Sequence, residues 1–523
     1  MKNKITYIAL SVGLLFSSCD DLLTFDAPGV TTVDDFFISG EMAEQAATAA
    51  YVPLMWEFGE STFAPEWFIG DVVSDDAIKG GQNIGDMSVV YDMENFKTQS
   101  SNDYLYAYYK AQFEGISRAN LVIEQVPLMQ NDTSKNSNLK TRAMAEAQFL
   151  RAYYYFRLAR LFGGVPKIDY YIKAQSEWKK PRASLDSIYY LIQDDLKKSI
   201  PVLPLKSKYE SKDLGRATKG AAQALYMKVL MTQHQYAAAK VWGDSIINSG
   251  EYNLCPAYAD NFTLGGENGI ESVFEVQYTD DATSDYGDGF GFTVGTFTTI
   301  LTRSRNNAAG GWGFNHPSQE LYNEYETFSA KADPRRDITI INPTDDEITN
   351  PAEEIYLGNR FLNRKYAMMT ADDKYISLSH PTRAPINRKE IRYSDILLMY
   401  AEACCETNNL DRAKWALEKV RNRARGGDAS ILPAFPYGNY RDNKEDLIKA
   451  IRHERRVELG MEGHRWFDLI RWGIAAKTMN AYRENASPQI KQHMSPFVEG
   501  KHELFPIPLK EIEKNPMPQN NGY

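Results

Sequence analysis

Paired carboxylates are the residues of this sequence whose spacing comes nearest to a catalytic pattern. Hydrolysis of a glycosidic bond needs two Asp or Glu side chains at a fixed separation, one acting as acid and the other as base or nucleophile. Adjacent acidic pairs occur at Asp75–Asp76, Asp280–Asp281 and Asp372–Asp373. Such pairs are typical of solvated loop surface, and nothing around them marks an acid or a nucleophile. The sequence therefore favours a protein without catalytic activity, with a secreted glycoside hydrolase as the less favoured alternative.

Other catalytic motifs are incomplete. His453-Glu454 lacks the second His of a zinc-binding HExxH helix. The segment Gly115–Ala119 lacks the last Gly of a G-x-S-x-G nucleophile elbow. The seven His residues are scattered along the chain. We therefore predict no catalytic residue, no metal site and no cofactor.

The composition and charge of the chain argue against nucleic acid as a binding partner. The chain has 523 residues, 43% of them hydrophobic, and a net charge of −10. An acidic chain lacks the basic surface that nucleic-acid binding requires, so we predict no nucleic-acid partner. The cysteines Cys255, Cys404 and Cys405 form no CxxC pair. We predict small core residues there, with a bridge to Cys255 as an alternative.

The N-terminus is typical of a targeting segment. Lys2 and Lys4 precede an apolar stretch, residues 5–16, which is too short to span a bilayer. Small residues then precede Cys19, an arrangement that resembles a bacterial lipoprotein signal with Cys19 as the acylated residue. Residues 1–18 are the predicted signal peptide and 19–40 the anchor and tether, so membrane contact is expected through lipid alone. Asp20 and Asp21 resemble the surface-export signal of Bacteroidetes lipoproteins, which favours an outer-membrane protein facing the cell exterior.

Hydrophobic periodicity predicts a mainly α fold. Apolar stripes indicate helices near 41–54, 103–126, 141–161 and 185–199. Residues 222–246 and 396–420 each predict a helical hairpin whose alanines permit close helix crossing, as in tetratricopeptide-like repeats. The predicted organisation is a helical region at 41–260, a loop-rich insertion with short strands at 261–385, a helical region at 386–480 and an extended C-terminal strap at 481–523.

Two stretches of the second half carry a family resemblance. One is R-H-E-R-R-V-E-L-G-M-E-G-H-R-W-F-D-L-I-R-W-G at 452–473, and the other is F-P-I-P-L-K-E-I-E-K-N-P-M-P-Q-N-N-G-Y at 505–523. With I-R-Y-S-D-I-L-L-M-Y-A-E-A at 391–403 and the lipoprotein start, they resemble the SusD/RagB family of Bacteroidetes. We interpret the first stretch as inter-helix packing, with an i, i+3 ion pair between Arg455 and Glu458 and a turn at Gly463.

The resemblance implies a nutrient-binding lipoprotein built from tetratricopeptide-like hairpins. It further implies a SusC-like TonB-dependent transporter as partner, to which captured oligosaccharides are passed for import. Peptide binding, as in RagB-like members, is the alternative.

Sugar recognition needs flat aromatic faces and polar side chains for the hydroxyl groups. Trp312 lies in a Gly-rich stretch near four polar residues, Arg303, Arg305, Asn306 and Asn307. Tyr286 lies in the Gly-rich stretch before it, and Trp67 lies in loop-like sequence followed by Asp75, Asp76 and Tyr91. Glycine lets the backbone approach a ligand closely. The candidate ligand-binding residues are Trp67, Tyr91, Tyr286, Arg305, Asn306 and Trp312.

Overall fold

Helices dominate the computed structural model, which describes residues 33–129, 138–280, 294–305, 310–370, 374–380 and 382–523. The helices, in chain order, are α1 Val33–Phe36, α2 Gly40–Tyr51, α3 Ser88–Glu94, α4 Asp103–Gln125, α5 Asn138–Phe162, α6 Leu185–Ser199, α7 Lys219–Thr232, α8 Tyr236–Asn248, α9 Thr298–Thr302, α10 Gln319–Glu324, α11 Arg335–Thr339, α12 Pro351–Glu354, α13 Tyr393–Glu406, α14 Leu410–Ala424, α15 Lys444–Leu459, α16 Arg465–Arg471, α17 Ala475–Asn485, α18 Pro488–Lys491 and α19 Leu509–Lys514. A short π-helix covers Phe68–Val72. The mainly α fold predicted from the sequence is confirmed. Among the described residues, none of the helices is both long and apolar enough to cross a bilayer.

The long helices pack in sequence-adjacent pairs. Helix α5 contacts α2, α4 and α6, while α7 pairs with α8 and α13 with α14. Side-chain oxygens at the N-caps accept backbone N–H groups and so fix where several helices begin. These N-cap residues are Ser39, Asn102, Ser184, Thr218 and Asn443. The helices near 41–54, 103–126, 141–161 and 185–199 are therefore confirmed, with small differences at their ends.

The two predicted hairpins lie against each other in space. Helix α8 packs on α13, and a Cβ added at Gly243 would lie 2.5 Å from the ring of Tyr400. Only glycine permits this approach, which also lets the Tyr400 hydroxyl donate to Asp244 at 2.5 Å. Cys404 and Cys405 are buried in α13 as free thiols, and Cys255 is likewise free and buried. The prediction of small core residues is confirmed, and the alternative of a bridge is wrong.

The strands of the described residues are short, and each pairs with one other strand. They are β1 Phe58–Gly59, β2 Thr62–Phe63, β3 Ala77–Gly80, β4 Ser272–Val276, β5 Phe314–Pro317, β6 Thr327–Phe328, β7 Lys331–Ala332, β8 Ile340–Ile341, β9 Leu362–Asn363 and β10 Arg388–Arg392. The antiparallel pairs are β1–β2, β3–β5, β4–β10, β6–β7 and β8–β9. Two of these pairs, β3–β5 and β4–β10, join the predicted insertion to segments on either side of it. Among the described residues, one large apolar cluster accordingly runs from Phe37 to Ile507, and Met368, Ala384 and Ile386 form a small second cluster.

Buried ion pairs join the stretch at 452–473, which carries the family resemblance, to the rest of the fold. Arg455 donates to Asp395 at 2.6 Å and to Asp468 at 2.7 Å, so the predicted pair with Glu458 is wrong. Glu458 is instead contacted by Arg335, Arg392 and Arg423. Inter-helix packing is confirmed as the role of this stretch, because buried charges need partners from several elements to offset their lost hydration.

The C-terminal tail is only partly the extended strap that its prolines predict. Helices α17 and α18 occupy much of 475–491, and α19 begins directly after Pro508. Proline is tolerated there because the first helical turn leaves its N–H groups unpaired in any case. The remainder runs extended against the end of α5, where Phe505 donates to the carbonyl of Leu161 and Asn520 to that of Phe162.

Candidate ligand-binding site

The pairing of β3 with β5 brings together two loops that are far apart in sequence. Ile78 lies opposite His316 and Gly80 opposite Phe314. Beyond this pair, the N–H of Gly81 donates to the carbonyl of Gly313 at 2.5 Å. The exposed residues 82–85 after β3 therefore lie near residues 310–313, which directly precede β5. We name residues 81–87 the β3 loop.

Arg305 links the two segments. Its Nη1 donates to the carbonyl of Trp312 at 3.0 Å and lies 3.7 Å from Oδ2 of Asp86 in the β3 loop. The side chain remains 21% exposed, so part of the guanidinium faces solvent. An arginine offers five N–H donors in a planar fork. Nη1 is used here and Nε is buried, which leaves the two N–H groups of Nη2 for an oxygen-rich ligand.

Trp312 is held on an aromatic base. Its ring centroid lies 5.1 Å from that of Phe63 in an edge-to-face arrangement, and Phe63 lies 5.0 Å from Phe58 and from Phe297. The Trp312 backbone N–H also donates to the carbonyl of Ile300 at 2.7 Å. Because the indole is only partly buried, this packing fixes its position while leaving part of its surface open to solvent.

Arg303, which lies two residues before Arg305, has a different role. It is 5% exposed and donates to the carbonyls of Ala367, Met368 and Ile376. Its guanidinium also lies 5.2 Å from the ring centroid of Tyr375. Arg303 therefore fixes the backbone at Ala367, Met368 and Ile376, whereas Arg305 is partly exposed to solvent.

The structure separates the candidate residues. Arg305 and Trp312 lie together, whereas Tyr286 and Asn306 lie outside the described residues. Trp67 is 4% exposed, and its indole N–H donates to Thr298 Oγ1 at 3.0 Å. Tyr91 is partly buried, and its hydroxyl lies 3.0 Å from Nδ1 of His493 in the C-terminal region.

Trp67 is thus a core residue with no accessible ring face, and we leave it out of the proposed site. Tyr91 remains a prediction, and its hydroxyl faces His493, two residues after the end of α18. The sequence alone missed Phe63, Asn83 and Asp86. Asn83 and Asp86 lie in a Gly-rich loop directly after a short strand. Polar residues in such a loop are the sequence feature that indicates a second binding loop.

The carboxylate pair at 75–76 is not solvated. Asp75 and Asp76 are 5% and 1% exposed, and both are paired with Arg456 and Arg465, so the expectation of loop surface is wrong for them. Asp280 is exposed, as expected, while Asp281, Asp372 and Asp373 lie outside the described residues. The described part of the chain contains no group of three His, Cys, Asp or Glu side chains placed to hold a metal ion.

Models of known protein families match most of the sequence. The model of the SusD family matches residues 270–523, and that of a family described as "Starch-binding associating with outer membrane" matches residues 48–231. The chain belongs to the SusD/RagB family. Among its relatives is SusD-like protein P2 of Formosa agariphila, which is 25% identical over 547 residues and matches the full length of both chains.

Solved structures of SusD-like proteins share this fold. Surface glycan-binding protein A of Bacteroides thetaiotaomicron, in complex with laminarihexaose, has a TM-score of 0.75 and 27% identity over 92% of this chain and 99% of that one. A structure described as a laminarin-binding SusD-like protein has a TM-score of 0.76 and 26% identity, covering 93% of this chain and all of the other.

Proposed function

We propose that this chain is a surface-exposed, glycan-binding lipoprotein without catalytic activity. It captures oligosaccharides at the outer membrane and delivers them to a SusC-like TonB-dependent transporter for nutrient uptake. The observation that carries the binding part is that Arg305 donates to the main-chain carbonyl of Trp312 and also lies 3.7 Å from Asp86 of the β3 loop.

This arrangement suits a sugar ring. The C–H face of a pyranose packs against an indole, and its hydroxyl groups need donors and acceptors beside that surface. Arg305 supplies donors, Asp86 supplies acceptors, and the exposed Asn83 supplies an amide that does both. The complex of a relative with laminarihexaose supports a β-linked glucan oligosaccharide as the first ligand to test.

The N-terminal signal supports the proposed lipid anchor, and membership of the family supports the proposed delivery of the glycan to a transporter. The acyl chains on Cys19 hold the protein at the membrane, since two or more of them suffice for stable attachment. The full-length protein is expected to incorporate labelled palmitate and to co-purify with a TonB-dependent transporter. A Cys19→Ser variant serves as the control, and labelling that persists in it contradicts the anchor.

The binding test uses the lipid-free chain, residues 20–523, and isothermal titration calorimetry. The panel contains laminarihexaose, other plant and host oligosaccharides, and mixed peptides, and reducing ends are measured after each titration. Saturable glycan binding without new reducing ends is the expected result. Binding to peptides alone contradicts glycan capture and favours the RagB-like alternative, and an increase in reducing ends contradicts the absence of catalysis.

A further inference from the structure

Lys79 is a lysine without solvent exposure directly beside the candidate site. It lies in β3, and its side chain has a relative exposure of 0%. Its ammonium donates to three backbone carbonyls, those of Gly80 at 2.8 Å, Asn83 at 3.0 Å and Asp86 at 2.6 Å. All three N–H donors of the ammonium are therefore used, and all three acceptors lie within residues 80–86.

Two aromatic rings enclose the same ammonium. Its Nζ lies 4.7 Å from the ring centroid of Tyr356 and 5.5 Å from that of Phe314. Burial of an ammonium is costly unless its charge is compensated, and ring faces and converging carbonyls provide that compensation. The carboxylates of Glu94 and Asp86 act on it over a longer distance.

The β3 loop closes around this lysine. The N–H of Gln82 donates to Oδ2 of Asp86 at 3.0 Å, and the N–H of Gly85 donates to Oδ1 of Asn83 at 2.9 Å. The same Oδ2 atom of Asp86 faces Arg305. Without the ammonium, three inward-facing carbonyls lack donors, and the loop has to rearrange to reach water.

We propose that Lys79 is the positioning residue of the ligand site, fixing the β3 loop, which carries Asn83 and Asp86, so that Asp86 faces Arg305. Lys79 does not itself contact the ligand, because its donors are fully used. The inference rests on the proposed glycan binding and adds to it the residue that sets the shape of one wall.

The charge of Lys79 also predicts a pH dependence. Burial lowers the pKa of Lys79 to about 8, although the carboxylates of Glu94 and Asp86 act in the opposite direction and raise it. Of the other groups around it, Glu94 has its pKa raised to about 7 by burial, while His316 has its pKa lowered to about 4 and so is neutral above pH 6. Burial raises the pKa of Tyr356 well above its ordinary value, so that ring is neutral as well. As pH rises through about 8, Lys79 loses its proton, and ligand affinity is expected to fall with it.

The test compares Lys79→Met with a matched control, Lys206→Met. Lys206 is also a largely buried lysine, bonded to the carbonyls of Gly269 and Ser272 beside the ring of Tyr252, and burial likewise lowers its pKa to about 8. It lies near β4, among residues that do not belong to the candidate site. Laminarihexaose binding to the lipid-free chain is measured from pH 6.5 to 9.5, and amide hydrogen exchange is followed at residues 81–86.

Lys79→Met is expected to weaken binding roughly tenfold or more at pH 7 and to remove its dependence on pH between 7.5 and 9.5. Exchange should accelerate at residues 81–86 and remain as in the wild type in α5 and α13. Lys206→Met should keep both the wild-type affinity and its pH dependence. If the wild type binds and Lys79→Met binds equally well, or if hydrogen exchange at residues 81–86 is the same in both proteins, the positioning role of Lys79 is wrong. If the wild type binds no glycan of the panel, the proposed function is wrong instead.

Discussion

Arg465 donates to both carboxylate oxygens of Asp75, from Nε to Oδ1 at 2.8 Å and from Nη2 to Oδ2 at 2.9 Å. This bidentate pair joins the first residue of α16 to a residue that lies two positions before β3. Arg456 adds a contact to Oδ2 of Asp75 at 2.9 Å. Although burial opposes it, the two guanidinium groups hold the pKa of Asp75 well below its ordinary value. The family stretch at 452–473 thereby fixes the strand that carries Lys79 and leads into the β3 loop.

We expect Arg465→Met to lower the free energy of unfolding by about 3 kcal/mol, because it leaves the buried Asp75 with one cationic partner fewer. Urea denaturation at pH 7 measures the change. Arg336→Met is the matched control, since Arg336 pairs with Asp337, whose side chain is 75% exposed. Exposed pairs contribute at most about 1 kcal/mol, so equal losses in the two variants would contradict the structural role of the Asp75 pair.

Arg392 predicts how the fold responds to acid. It contacts Glu271 at 2.6 Å, Glu458 at 3.1 Å and Glu462 at 2.7 Å. Burial by itself raises the pKa values of Glu271 and Glu462. Neighbouring cations outweigh burial and lower each pKa to about 2; they are Arg423 and Arg392 beside Glu271, and Arg392 and Lys365 beside Glu462. A carboxyl group whose pKa is lower in the folded state stabilises the fold above its unfolded pKa, and this contribution disappears as pH falls through the folded value.

The contribution of Glu271 and Glu462 to the free energy of unfolding, measured by urea denaturation, should therefore be constant between pH 7 and 5 and be lost between about pH 4.5 and 2. Glu462→Gln should lose about 2–3 kcal/mol at pH 7 and show a shallower decline in acid, because one of the titrating groups is gone. Glu499→Gln, in an exposed turn, is the control. A midpoint for Glu462→Gln that runs parallel to that of the wild type down to pH 2 would contradict this assignment.

His453 predicts a loss of stability on the alkaline side. Its Nδ1 lies 2.6 Å from Glu324 and its Nε2 3.6 Å from Glu326. Burial opposes the imidazolium charge, but the two carboxylates raise the pKa of His453 to about 9. The resulting stabilisation is complete below about pH 6.5 and is lost as pH rises through 9.

Comparing His453→Gln with the wild type isolates this effect from other alkaline titrations. We expect the stability difference between the two proteins to be about 2 kcal/mol at pH 6 and to approach zero near pH 10, as measured by urea denaturation. His234→Gln, at an exposed turn, should show no such change. A difference that stays constant from pH 6 to 10 would mean that His453 is not protonated in the fold.

The helices were predictable from the sequence because their signal is local. The alanine-rich faces that pair α7 with α8 and α13 with α14 are visible as stripes within a few turns, and these helices lie where periodicity indicates them. The family stretch was equally visible, but its partners were not. An i, i+3 pair such as Arg455–Glu458 is weak, so both residues instead contact groups from other elements in the buried network.

The ligand site was only partly predictable, because the partners of its residues also come from distant parts of the sequence. Trp67 and Trp312 both lie in loop-like sequence, yet Trp67 is in the core because Thr298, 231 residues later, accepts its N–H. Asp75 and Asp76 look like exposed loop acids until α15 and α16 bring Arg456 and Arg465 to them. Local sequence indicates the type of a residue, whereas its exposure depends on segments that only the tertiary fold brings near.

Two tryptophans with solvent-exposed surface, Trp312 and Trp178, give the most direct test of the ligand site. Trp312 lies beside Arg305 on the Phe63 base, whereas Trp178, which is 59% exposed, lies after α5 and outside the candidate site. Trp312→Ala should weaken glycan binding by about tenfold or more, because it removes the stacking surface, while Trp178→Ala should bind as the wild type does.

Calorimetric titration with laminarihexaose measures both variants, and thermal unfolding shows whether either change disturbs the fold. Trp67→Phe completes the comparison, because loss of the bond to Thr298 should lower stability by about 1–2 kcal/mol and leave affinity unchanged. Equal affinity for Trp312→Ala and the wild type would exclude Trp312 from the site. Weaker binding in Trp178→Ala with normal binding in Trp312→Ala would place the glycan on the surface formed by residues 170–180 instead.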